Sequence, residues 1–209
     1  MSKQSRRDLY TGLYDLGLDL TGGPEGPDRS LLAFCLDDIR EEQREGYFEE
    51  GSVAVEFGTG AGVTTEMIAD VLPVISFDSF QGLPENWRPG FPAGTFSELE
   101  MREIPNATIV PGWFKDTVVG YDWPEKIALI HFDADLYSST ITCLASIGPH
   151  IKPGCILVFD EFHGYDDDFH GTMPGEQQAF RDYAEPWLEW FVIGHGREQW
   201  AIRIHKVSD

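Results

Sequence analysis

Residues 52–78 read SVAVEFGTGAGVTTEMIADVLPVISFD, and this stretch decides the fold. SVAVEF (52–57) is a short apolar run with the β-branched content of a buried strand. GVTTEMIADVL (62–72) carries its apolar residues at helical spacing, and VISFD (74–78) is a second strand that ends on an acid. A glycine-rich turn joins the first strand to the helix. Strand, helix and strand in this order form a βαβ unit, which implies a parallel sheet.

The alternation continues towards the C-terminus. NATIVPG (106–112) holds a strand and FKDTVVG (114–120) a short helix; KIALIHFD (126–133) is a strand and SSTITCLASIGPHI (138–151) a helix. CILVFDE (155–161) is a further strand, followed by a helix over EQQAFRDYAEPWL (176–188). WFVIGHG (190–196) and QWAIRIHKV (199–207) come without an intervening helix and read as an antiparallel pair. The expected architecture is α/β: a Rossmann-like, seven-stranded, mainly parallel sheet, closed by a C-terminal β-hairpin and covered by helices on both faces.

Towards the N-terminus the pattern is looser. LYTGLYDLGLDL within residues 1–20 suggests a short helix or cap, and GGPEGPD (22–28) breaks it, with Asp28 placed to cap the next helix. Leu31, Leu32, Phe34, Cys35 and Ile39 predict one amphipathic helix over 29–48. The chain therefore divides into an N-terminal helical cap or lid, 1–48, and a main domain, 49–209, in one compact unit. The N-terminal helices are a candidate homodimer surface.

Composition narrows the function. The net charge is −21, from 36 acids against 15 bases, a field that repels nucleic-acid phosphates and anionic membranes. No apolar run reaches the roughly 20 residues that span a bilayer, and no apolar stretch follows Arg6 and Arg7 as a secretory signal requires. Cys35, Cys143 and Cys155 are widely spaced in apolar company, as buried reduced thiols are. A cytoplasmic protein with a small-molecule substrate is expected.

In the turn, Glu56, Gly58, Gly60 and Gly62 stand in the spacing E-x-G-x-G-x-G, and Asp78 follows Gly58 by twenty residues at the end of the next strand. A carboxylate there can accept hydrogen bonds from the ribose hydroxyls of an adenosine ligand. A dinucleotide requires G-x-G-x-x-G, and an acid before the first glycine repels a pyrophosphate. Glu56 suits instead the cationic end of S-adenosylmethionine, directly or through water. The chain also lacks the Tyr-x-x-x-Lys pair of a short-chain dehydrogenase. A nicotinamide-dependent oxidoreductase and a non-catalytic S-adenosylmethionine-binding module are the alternatives.

FDSFQGLPENWRPGFPAGTF, VPGWFKDTV, HFDADLYSST, VFDEFHGY, PGEQQAFRDY and HGREQWAIRI occur in this order and together resemble the macrocin O-methyltransferase-like family. The resemblance spans about residues 50–205, while the glycine loop is closer to general class I methyltransferases. It implies the class I methyltransferase fold, which the element order matches. It also implies that Glu56, Gly58, Gly60 and Gly62 line the methionine end of the cofactor, that Asp78 holds the ribose, that Ser79 and Phe80 flank the adenosine, and that Trp113 lies near the adenine. Asp133, Asp160 and Glu161 match the positions that hold magnesium in metal-dependent members, and Asp135 matches a proposed general base.

The acids also argue for themselves. Asp133 and Asp135 follow one strand, Asp160 and Glu161 another, and adjacent parallel strands deliver their C-terminal ends to one edge. Four carboxylates there repel one another unless they are protonated or bridged by a cation, and oxygen ligands favour Mg²⁺ or Ca²⁺. Asp133 belongs to both the cofactor-binding and the catalytic set. Asp135 has a second reading, as the cap of the helix beginning near Ser138. His131 alternates onto the same face as Asp133 and reads as a satisfied core histidine, with His163 a loop candidate. FDSFQGLPENWRPGFP is expected to form an ordered loop over the adenosine. The function these readings point to is O-methylation of a small polar acceptor such as a sugar or natural-product hydroxyl.

Overall fold

The computed structural model describes residues 29–162, 175–184, 187–196 and 198–208. The expected cap in residues 1–20, the capping role of Asp28 and the candidate His163 lie outside the described residues. Helix α1 (Ser30–Glu45) is followed by β1 (Val53–Phe57), α2 (Val63–Ala69), β2 (Val74–Asp78), β3 (Ala107–Pro111) and the single turn α3 (Phe114–Thr117). Then come β4 (Ile127–Phe132), α4 (Tyr137–Ile147), a 3₁₀ turn (Gly148–His150), β5 (Ile156–Phe159), α5 (Gly175–Tyr183), β6 (Leu188–His195) and β7 (Trp200–Val207).

The seven strands form one sheet in the order β3-β2-β1-β4-β5-β7-β6. β3, β2, β1, β4 and β5 are parallel, and β7 pairs antiparallel with both β5 and β6. This is the expected layout. One boundary differs: the helix expected over 176–188 stops at Tyr183, and Leu188 opens β6. Pro186 in the sequence accounts for the early stop, because the residue before a proline is pushed out of the helical region.

The strand registers align two rows of side chains across the sheet. Phe57 is level with Phe77 on one side and Phe132 on the other, and Phe132 is level with Phe159. Their rings pack in series, with centroids 5.6, 5.3 and 4.8 Å apart for Phe57–Phe77, Phe57–Phe132 and Phe132–Phe159. This row belongs to the core that also holds Cys143, Leu144 and Ile147 of α4 and Phe180 of α5. One residue earlier, alternation turns the side chains to the opposite face, where Leu31, Cys35 and Ile39 of α1 and Ile68 of α2 form the second core. All three cysteines are buried and free.

The consequence for function lies one residue later. Each phenylalanine of the row is the last or next-to-last residue of its strand, so Gly58, Asp78, Asp133 and Asp160 leave the sheet at one level. Backbone bonds extend the ladder into them: Asp133 N–H donates to the carbonyl of Phe57 (2.9 Å), and Asp160 N–H to that of Phe132 (2.9 Å).

Candidate active site

Above this level lies a cavity of about 460 Å³, within the range that encloses small ligands. Its floor on one side is the turn Gly58–Thr59–Gly60–Ala61, and Asp78, Ser79, Trp113 and Phe114 stand beside it. Asp133, Asp135, Asp160 and Glu161 line the other side. Trp87, Arg88 and Phe91 of the long segment after β2 form part of the wall, as the reading of that segment as an ordered loop anticipates. Arg88 lies 4.0 Å from the centre of the Trp87 ring and 3.3 Å from a carboxylate oxygen of Glu198, which ties the segment to the terminal hairpin.

Asp78 braces the turn. One carboxylate oxygen accepts the Gly60 N–H and the other the Phe80 N–H, each at 2.8 Å. Gly58 has φ +104°, and a Cβ there would fall 2.0 Å from the carbonyl oxygen of Asp133. Only glycine lets the turn approach β4 this closely.

Three of the residues expected to line the cofactor are not among those that line the cavity. Glu56 is fully enclosed beneath the turn and is not among the cavity-lining residues. Its neighbours in register are Ser76 and His131. Ser76 donates to Glu56 Oε2 at 2.7 Å, Thr65 donates to the same oxygen, and His131 Nδ1 lies 3.0 Å from Oε1. Glu56 is thus the hub of a buried polar row on the α1–α2 face, and His131 is the satisfied core histidine expected. Gly62 packs against Ile104 and Arg102, and Phe80 is likewise off the cavity lining. The parity of the strand explains Glu56: one residue before Phe57, it must point to the opposite face from that ring.

The acids converge. Oxygens of Asp133, Asp135 and Glu161 lie within 4.8 Å of one another, a grouping that takes in Asp135 beside two of the three expected cation ligands. Asp160 lines the same cavity, bonded to Gln199 and facing His131. Asp135 does not cap α4, whose N-cap is Leu136 with no side-chain cap bond. Its φ of +60° belongs to the left-handed region, which Asp tolerates better than most residues.

Burial, together with crowding, raises every one of these acids. Burial, then the neighbouring Asp160 and Asp135, drives Asp133 well above the usual carboxylate range. Burial, then Asp135 and Asp160, does the same to Glu161. Asp135 is pushed up to about 7 by burial and by Asp160. Asp160 rises through burial but is held back by His131 and Gln199. Glu161 Oε2 is buried and has no hydrogen-bond partner among the described residues.

Sequence reasoning missed Thr65 and Ser76, the partners of Glu56, and Arg29 and Arg88, the cations lining the cavity. It also missed Glu176 of α5, buried between the acid-bearing loops and pushed up to about 8 by burial. Positions two before the strand-end Asp78 and Asp133 carried a signal for Ser76 and His131. Nothing in sequence spacing marks Glu176.

Residues 93–183 match the family described as Macrocin-O-methyltransferase (TylF). A 53-residue stretch, 25% of this chain, is 40% identical to the 8-demethyl-8-(2,3-dimethoxy-alpha-L-rhamnosyl)-tetracenomycin-C 4'-O-methyltransferase of Streptomyces olivaceus, covering 20% of that protein. Another of 76 residues, 36% of this chain, is 34% identical to the Mycinamicin III 3''-O-methyltransferase of Micromonospora griseorubida, covering 26% of it. The matches thus span about a quarter or less of these relatives' lengths. Among solved structures, that of CalS11, a calicheamicin methyltransferase, superposes with a TM-score of 0.61 at 19% identity, covering 97% of this chain and 94% of that one. The resemblance to the macrocin O-methyltransferases therefore holds over residues 93–183, and the sheet is that of the class I methyltransferases.

Proposed function

We propose that the protein is an S-adenosylmethionine-dependent O-methyltransferase acting on a hydroxyl of a small polar acceptor, a sugar or natural product, with a divalent cation. The observation that carries this reading is that one cavity joins the glycine turn and Asp78 to four acids at the neighbouring strand ends. A donor site and a site for activating a hydroxyl are thereby contiguous. The curated relatives, whose names describe O-methylation of a rhamnosyl-tetracenomycin and of mycinamicin III, support the choice of acceptor.

The Gly58–Gly60 turn would take the methionine end of the donor and Asp78 the ribose. Ser79 and Trp113, which line the cavity, would flank the adenosine. Glu56 would act from beneath, holding the turn's strand through Ser76, Thr65 and His131. When bound, the donor supplies a methyl group on a cationic sulfur.

The acids fit a hard cation: all offer oxygen, and the unpartnered Glu161 Oε2 is an unmet acceptor. Asp133, Asp160 and Glu161 would hold the cation, because Asp133 and Asp160 directly follow their strands and are fixed by ladder bonds, and Glu161 is the residue next to Asp160. Such a cation lowers the pKa of a bound hydroxyl. Asp135, reoriented by its left-handed turn beside Asp133 and Glu161, would take the hydroxyl proton onto a carboxylate oxygen as the acceptor oxygen bonds to the methyl carbon and the carbon–sulfur bond breaks. Asp135 would then carry the proton, with S-adenosylhomocysteine as the spent donor, and would pass it to solvent.

The test is transfer of label from methyl-labelled donor to a panel of glycosides and phenolic natural products, with magnesium and after exhaustive chelation. Transfer that requires magnesium is expected. Calorimetry with S-adenosylhomocysteine and NAD accompanies it, and binding of NAD alone would overturn the reading.

A further inference from the structure

Glu176 is a fully buried acid with no ion-pair partner among the described residues, set against acids that repel it. Its hydrogen bonds explain its presence. Oε1 accepts the N–H of Ala134 at 3.0 Å, and Oε2 accepts the N–H of Glu161 at 3.1 Å. Ala134 lies between Asp133 and Asp135, after β4, and Glu161 lies after β5. One carboxylate therefore spans both acid-bearing loops, using an oxygen on each.

The chemistry needs a carboxylate. A carboxamide of the same shape has one acceptor oxygen, and its NH₂ would face an N–H that it cannot accept. An apolar residue would leave both buried N–H groups unpaired. The helix bearing Glu176 is seated independently. A Cβ on Gly175 would fall 2.6 Å from the Tyr137 nitrogen and 2.7 Å from the Asp135 carbonyl oxygen, so the start of α5 rests directly on the backbone of the β4 loop.

We propose that Glu176 is a positioning residue that clamps the loops after β4 and β5 together and so sets the convergence of Asp133, Asp135, Asp160 and Glu161 on the cation and acceptor. This rests on the reading of those acids as a cation site. Groups that orient metal ligands without touching the metal change affinity by about 10–100-fold when altered.

Manganese titrated calorimetrically into wild type, E176Q and E176D tests the clamp, with S-adenosylhomocysteine affinity measured in parallel. Both variants are expected to bind manganese at least tenfold more weakly and S-adenosylhomocysteine within twofold of wild type. Amide exchange should quicken in peptides covering 133–136 and 160–162 but not in β1. Manganese affinity within twofold of wild type in both variants, or faster exchange across the whole sheet, overturns the proposal. If wild type takes up no manganese, the cation reading itself has failed, and local exchange alone decides the clamp: unchanged exchange at 133–136 and 160–162 refutes it. If E176Q does not fold, E176D carries the test, since it keeps both oxygens and withdraws them by one methylene.

Discussion

The strand ends β1–β2 and β4–β5 both present carboxylates at the same level of one sheet, yet they solve the burial of charge in opposite ways. Glu56 is enclosed by two hydroxyls and an imidazole, and Asp78 is bonded through both oxygens to backbone N–H groups. Asp133, Asp135 and Glu161 have chiefly one another, and all three are driven upward in pKa. Acids with donors make a rigid, finished support. Acids facing acids make a site that is electrostatically incomplete until a cation or protons arrive.

The largest effect should come from breaking the finished side. Glu56→Ala leaves Ser76, Thr65 and His131 without their common hydrogen-bond partner in the core and should cost about 1–3 kcal/mol for each buried polar group left unpaired. Denaturant unfolding measures it, and a loss below about 1 kcal/mol would mean that the hub is dispensable.

On the incomplete side, Asp135→Asn and Asp160→Asn separate the two possible memberships of the cation set. Asp160→Asn should weaken manganese binding by about tenfold or more, whereas Asp135→Asn should abolish transfer and leave manganese binding within about threefold. The reverse pattern would make Asp135 the ligand, as the 4.8 Å grouping has it.

A smaller effect concerns pH. A carboxyl whose pKa is higher in the folded than in the unfolded chain binds more protons when folded, so stability falls as pH rises. The window runs from the ordinary carboxylate range to about 7 for Asp135 and about 8 for Glu176. With chelator present, the melting temperature should fall between pH 5 and pH 8, by roughly 2–4 °C for each kcal/mol lost. Magnesium should flatten that slope, and a chelated protein equally stable at both pH values would contradict the crowding.

Much of the fold was legible because the runs VEFG, ISFD, IHFD and LVFD mark four strand ends in the sequence itself. Their apolar cores gave the sheet, and the residue after each phenylalanine gave the cavity rim. Strand parity was the signal left unused: Glu56 was read by its closeness to the glycines, and its side chain is buried on the far face with Ser76, Thr65 and His131. The acids were legible as a group, but the turn that brings Asp135 beside Asp133 and Glu161 was not, since it depends on a left-handed φ that spacing does not reveal. Glu176 reaches the site from 42 residues beyond Ala134, through a tertiary contact with no local signature.

The approach of Gly58 to the Asp133 carbonyl joins the two regions at their backbones. Whatever orders the turn therefore presses on the loop bearing the acids. In the language of linked equilibria, the donor and cation of the proposed reaction would be heterotropic effectors of each other. Any factor by which one tightens the other must be returned in full, so the order in which the two ligands are added cannot alter the final complex, only the path to it.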